Sequence, residues 1–191
     1  ILHENNKNLE ELSQIDYSIY KQFNYILNTS GSSVYKKTQT KLLATGEAFF
    51  ENLLIELKKA KKFIFLEYFI ISKGKMWDAV LDILIRKAKQ GVEVRLLYDD
   101  LGTINYLEKN YAKYLNSLGI KTAIFNPFVP SLDSFLNYRD HRKITVIDGN
   151  VGFTGGINLA DEYINEIERF GHWQDSSVMI KGDAVTQLTV M

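Results

Sequence analysis

Two apolar runs, FIFLEYFII at 63–71 and VEVRLLYDD at 92–100, flank a segment whose apolar residues recur every three to four positions. This arrangement leaves few folds open. The runs are rich in aromatic and β-branched residues and read as buried strands. Between them, MWDAVLDILIRKAKQG places Val80, Ile83, Leu84 and Lys87 on one helical face and stops at Gly91, as a C-cap does. A connection of that length is a crossover, not a hairpin, so the two strands are expected to run parallel.

The same alternation extends in both directions. GEAFFENLLIELKKAKK, with Phe49, Leu53, Leu54 and Leu57 in helical register, precedes the first run. A third round follows, with a helix expected over TINYLEKNYAKYLNSLG and a strand over IKTAIF. The loop NPFVPSLDSFLNYRD then holds both prolines. After it come strand KITVID, turn DGN, strand VGFTG, a helix expected from about Leu159, strand SVMIK and the helix-like DAVTQL. The Asp-Gly turn closes a hairpin inside an otherwise crossover-connected sheet, so the fold class is α/β with a mixed β-sheet flanked by helices. Residues 1–44, rich in Asn, Gln, Lys and Tyr, read as an N-terminal arm with one helix-like stretch at 9–27, and residues 45–191 read as the chemical lobe.

Composition narrows the function. The 191 residues carry 23 basic and 23 acidic side chains and no cysteine, which excludes disulfides, thiolate nucleophiles and cysteine metal sites. A formal net charge of zero lacks the basic footprint of a nucleic-acid binder. The apolar run at 63–71 is interrupted by Glu67 and is about half the roughly 18 residues that a membrane-spanning helix needs. Glu67 itself, an acid inside an apolar strand, calls for a partner, and Arg139 or Lys143 are the candidates. The chain begins at Ile1, so a membrane anchor is expected to lie upstream of it.

The chemistry concentrates in NYRDHRKITVIDGNVGFTGGIN at 137–158. Residues i and i+2 of a strand share a face, so His141 and Lys143 point together, which suits an imidazole attacking phosphorus beside an ammonium that holds phosphoryl oxygens. Asp148 has the opposite parity to Lys143 and opens the turn; it is either a turn former or the fixer of a loop or ion pair. Gly155 and Gly156 permit close backbone approach to a ligand, a helix starting just after them would offer free N–H groups to an anion, and Asn158 adds an amide donor. No metal-ligand cluster and no cofactor motif are apparent.

His-x-Lys, four residues, Asp, six residues and Gly-Gly-x-Asn together form a pattern that resembles the phospholipase D superfamily. With LEYFIISKGKMWDAVLDILIRKAKQGVEVRLLYDDLG, VIDGNVGFTGGINLADEY and GHWQDSSVMIKGDAV, residues 45–191 are similar to the first catalytic half of bacterial cardiolipin synthases. The resemblance implies a phospholipase D-like lobe, the first of two. It implies a phosphatidyl-histidine intermediate formed from phosphatidylglycerol, with His141 as nucleophile or as its acid/base counterpart. Lys143 and Asn158, with Gly155 and Gly156, would hold the phosphate, and Asp148 would support the motif. Asp175, in HWQD, would orient a catalytic imidazole, either this one or that of a partner motif. It also implies no cofactor and a place at the bacterial cytoplasmic membrane for the full protein.

The departure is that the superfamily site takes two His-x-Lys motifs, whereas here only His141 qualifies: position 5 is Asn and position 174 is Gln. The second motif is expected from a second lobe of the same protein or from a homodimer partner. Two other functions stay open: a single-motif nuclease or phosphodiesterase working as a homodimer, and a non-catalytic phosphate-binding lobe. No nucleic-acid partner is expected, because the pre-motif loop carries Phe128, Phe135 and Tyr138 in place of a basic cluster. That apolar loop, 125–138, faces either acyl chains or the core as a lid. The acceptor alcohol, and hence transfer against hydrolysis, is left undetermined.

Overall fold

The structure, a computed structural model, describes residues 2–128, 137–169 and 171–191. Its frame is one seven-stranded sheet in the order β1-β7-β6-β5-β2-β3-β4. The strands are β1 (Thr38–Leu43), β2 (Phe63–Tyr68), β3 (Glu93–Asp99), β4 (Ile120–Phe125), β5 (Lys143–Ile147), β6 (Val151–Gly155) and β7 (Ser177–Gly182). β2, β3 and β4 are parallel, as the crossover requires, whereas β5 pairs antiparallel with both β2 and β6. The two halves of the sheet therefore meet at the β2–β5 pair. The fold class is α/β with a mixed sheet and flanking helices.

Helices α3 (Gly46–Lys59) and α4 (Lys75–Lys89) pack on the face to which Ile64, Leu66, Tyr68, Val94 and Leu96 point. Trp77, Val80 and Leu84 of α4 are fully buried there, and the Trp77 indole N–H donates to the Tyr111 hydroxyl at 2.8 Å, so the core's largest polar group is satisfied. Burying a large apolar side chain is worth about 1.5–3 kcal/mol, so this face supplies most of the stabilisation. On the opposite face the short α7 (Val185–Val190) lays Val185 and Leu188 over Ile144 and Val146. All five residues of β5 are buried.

Several elements depart from expectation. The arm forms two helices, α1 (Leu2–Ile15) and α2 (Tyr17–Ser30), because Asp16 breaks the stretch and caps α2, accepting from the Ser18 and Ile19 amides. Residues 38–43, assigned to the arm by sequence, form β1 and pair with β7. The helix expected over 103–119 is split into α5 (Asp100–Thr103) and α6 (Tyr111–Ser117), with Asn110 left-handed at φ 70° between them. No helix begins at Leu159. The chain stays extended, then makes a 3-10 helix at Asp161–Ile164, because the Asp161 carboxylate is spent on α4. It accepts from Lys75 N at 2.9 Å and Met76 N at 2.8 Å, capping a helix whose own N-cap, Gly74, has no side chain. Phe135 and Pro130 of the pre-motif loop lie outside the described residues, and with them the test of that loop as a lid.

Candidate active site

The C-terminal ends of β2 and β3 and the N-terminal end of β5 converge at one end of the central strands. Lys143 opens β5 opposite Tyr68, and His141 lies two residues before it. The parity argument therefore gives the right neighbours, although His141 precedes the strand proper. Lys143 is 5% exposed and its ammonium donates to the His141 carbonyl at 2.7 Å. Burial pulls its pKa down to about 8, against the pull of Asp140 and Asp175. The His141 imidazole is also held below its ordinary value, first by burial and then by the Lys143 charge, with Asp99 and Asp140 opposing. A neutral imidazole beside a cation is the protonation pattern that nucleophilic attack on a phosphodiester requires.

The segment that carries His141 is anchored by a residue sequence reasoning missed. Asp99, fully buried at the end of β3, accepts from Asp140 N at 3.0 Å and from Gly102 N at 3.1 Å, and pairs with Arg139 at 3.3 Å. The signal was available: a strand ending in two acids, upstream of a segment reading Arg-Asp-His. Glu67 finds a partner other than the two expected. Its carboxylate lies 2.6 Å from Arg142, off the axis of a hydrogen bond, and faces Asp140, which also binds Arg142 at 3.0 Å. Arg142 leans the opposite way from Lys143, so it reaches Glu67, while Lys143 and Arg139 are engaged elsewhere. Burial, then the neighbouring Asp140 carboxylate, pushes Glu67 up to about 7 despite Arg142.

The remaining expected residues divide into two groups. Asp175 is half-buried near Lys143 and bonds the Ser176 amide at 2.7 Å; no hydrogen bond joins it to His141 among the described residues. Gly155 and Gly156 are both exposed, and the segment leading into β7 comes close to each of them. A Cβ at Gly156 would sit 2.2 Å from Asp175 Oδ1, and one at Gly155 would sit 2.5 Å from the Ser176 carbonyl. Asn158 is buried with its amide committed: Oδ1 accepts from Ile70 N at 2.9 Å and Nδ2 donates to the Tyr163 hydroxyl at 2.7 Å. It ties the end of β2 to the segment that follows the Gly-Gly turn.

Asp148 is not brought to this end at all. Seven strand steps of about 3.3 Å place it roughly 23 Å from His141. There its carboxylate accepts from the amides of Lys61, Lys62 and Phe63 at 2.8, 2.7 and 2.9 Å, fixing the start of β2. Asp148 and Gly149 both have positive φ, the geometry that an Asp-Gly hairpin turn demands. Among the described residues no group of His, Asp and Glu is arranged to hold a metal ion. No helix among them is long and apolar enough to cross a membrane.

This mixed sheet with its site at the β2–β5 seam is a phospholipase D-type lobe. Its fold matches that of Nuc from Salmonella typhimurium, a phospholipase D family member, with a TM-score of 0.59 at 17% identity over 81% of this chain and 90% of that one. By sequence the chain belongs to the family described as cardiolipin synthase, PLD-like domain, whose model matches residues 53–188. It is 42% identical to cardiolipin synthase 2 of Bacillus anthracis over 156 residues, 81% of this chain and 30% of that protein. It is 48% identical to an uncharacterized protein of Streptococcus mutans serotype c over 183 residues, 96% of this chain and 40% of that protein. The chain thus spans well under half the length of these two sequence relatives.

Proposed function

We propose that this chain supplies one of the two motifs of a phosphatidyltransferase of the cardiolipin synthase type, converting phosphatidylglycerol to cardiolipin and glycerol. One motif histidine, His141 or its counterpart, attacks phosphorus through a neutral ring nitrogen. The bond to the glycerol oxygen breaks, and that oxygen takes a proton from the second histidine. The hydroxyl of another phosphatidylglycerol then attacks the phosphatidyl-histidine, gives its proton back to the second histidine, and the P–N bond breaks. Lys143 holds the phosphoryl oxygens throughout, as a buried cation aimed at developing charge does. The second histidine comes from another lobe of the full protein or from a second copy of the chain, and the full protein works at the bacterial cytoplasmic membrane.

The observation that carries this reading is the pairing of His141, which burial and the Lys143 charge push toward its neutral form, with a buried Lys143 that donates to the His141 carbonyl at the start of β5. Family membership supports the choice of lipid over nucleic acid. The test is intact-mass analysis of the chain after incubation with phosphatidylglycerol and an acid-free quench. A phosphatidyl adduct that is absent from His141→Ala is the expected result. If the wild-type chain and a full-length relative both form no adduct yet cleave DNA, the single-motif nuclease reading replaces this one. Phosphate binding without an adduct in either would indicate a non-catalytic lobe.

A further inference from the structure

The site contains an aromatic side chain with no part in the chemistry above. Phe69 follows directly on β2, and its ring lies against both functional groups. The His141 ring centroid is 4.7 Å away at a tilt of 51°, and the Lys143 ammonium sits 5.3 Å from the same centroid. Both distances fall within the reach of ring–ring and cation–ring attraction. Among the described residues His141 enters hydrogen bonding through its carbonyl alone, so its imidazole is held by packing on Phe69.

Phe69 is itself fixed from three directions. Tyr68, just before it, pairs with Lys143 across the β2–β5 seam. Ile70, just after it, donates to Asn158 and accepts from Leu159 N at 3.2 Å. Gly102 presses on its carbonyl so closely that a Cβ there would lie 2.1 Å from the oxygen. A ring on a backbone locked this way makes a firm surface for the two side chains that lie against it.

We infer that Phe69 is a positioning residue whose ring face is a shared seat for the His141 imidazole and the Lys143 ammonium. Its importance for turnover rests on the phosphoryl-transfer reading; its geometry does not. The negative face of a phenyl ring attracts an ammonium and, once it is protonated, an imidazolium, so the seat adds to Asp99 and Asp140 in offsetting the repulsion that Lys143 exerts on a protonated His141. The tilted contact also restricts the imidazole plane while leaving its edge nitrogens accessible to phosphorus. Sequence reasoning passed over Phe69 because an aromatic at the end of an apolar run reads as core.

The test is proton–carbon NMR of the histidine Cε1–H groups in this chain, with His3 and His172 as internal references. In wild type the His141 signal is expected upfield of both, through the Phe69 ring current. Phe69→Leu, which keeps the bulk, should abolish that displacement. It should also weaken His141 protonation by about two- to fivefold, the loss of one cation–ring contact. The charges that otherwise act on His141, those of Lys143, Asp99 and Asp140, stay in place. Phe69→Tyr should restore both signals. A wild-type His141 resonance with no upfield displacement, or a folded Phe69→Leu that titrates as wild type, overturns the inference. If the NMR results hold while no phosphatidyl adduct forms, the seat stands and the transferase reading falls.

Discussion

The two ends of β5 carry the same sequence motif and are built on opposite principles. At the Asp148 end, charge is welcomed: three backbone amides meet one carboxylate, and Glu56 nearby binds Lys59 and Lys181. Burial opposes ionisation of both acids, and their partners overcome it, so each is held below the ordinary range. At the His141 end Asp140 and Arg142 also stay charged as a pair, but the groups around them behave otherwise. His141, Lys143 and Glu67 are all pushed toward their neutral forms, with burial the leading cause in each case. One end is an anchor, and the other gathers groups whose protonation is perturbed, a pattern common at functional sites.

Three substitutions would break or sharpen that contrast. Lys143→Ala should slow adduct formation by about 100- to 1000-fold, the usual cost of removing one preorganised donor to a developing anion, with urea stability little changed. In the wild-type chain, affinity for inorganic phosphate should fall as pH rises past about 8, where Lys143 loses its proton. Asp148→Ala should show the reverse pattern: a loss of about 2–4 kcal/mol in urea unfolding, from three unpaired amides, and an adduct rate per folded molecule within about threefold of wild type. Asp148 has a depressed pKa, so its contribution is present above the unfolded carboxyl value and is lost as pH falls through the folded one. A large drop in adduct rate for that variant, at full stability, would contradict the division of labour.

The smallest effect is expected at Glu67. Its pKa is raised, so its contribution to stability is complete below 4.5 and declines as pH rises through about 7. Glu67→Gln should flatten that decline and leave the protein about 1–2 kcal/mol more stable than wild type at pH 8, as read from urea midpoints across pH. Unchanged pH dependence in the variant would place the titrating proton elsewhere.

What the sequence made legible were features written in short-range pattern. The β2-α4-β3 crossover followed from periodicity and Gly91, and the β5–β6 hairpin followed from Asp-Gly. The pairing of His141 with Lys143 followed from strand parity. Features that depend on distant contacts were not legible. The split at Asn110 and the missing helix at Leu159 are tertiary outcomes, the latter because Asp161 caps α4 across the molecule. The close approach of the segment leading into β7 to the Gly-Gly pair was not legible either, because a glycine does not reveal which neighbour comes near. Asp99 and Phe69 looked like a turn acid and a core aromatic. Their roles emerge only when the ends of β3, β2 and β5 are brought together.

The seam between the parallel and antiparallel halves has a consequence for how the site comes into being. The β5–β6 hairpin closes over a few residues and can form early, whereas the β2–β5 pairing joins residue 64 to residue 147 and must overcome a long loop closure. Tyr68 and Phe69 lie on one side of that late junction, with His141, Lys143 and Asn158 on the other. A chain whose two half-sheets have folded but not docked would therefore have most of its secondary structure and none of its site. Chemical competence would be among the last properties to appear on refolding and among the first to be lost on partial unfolding.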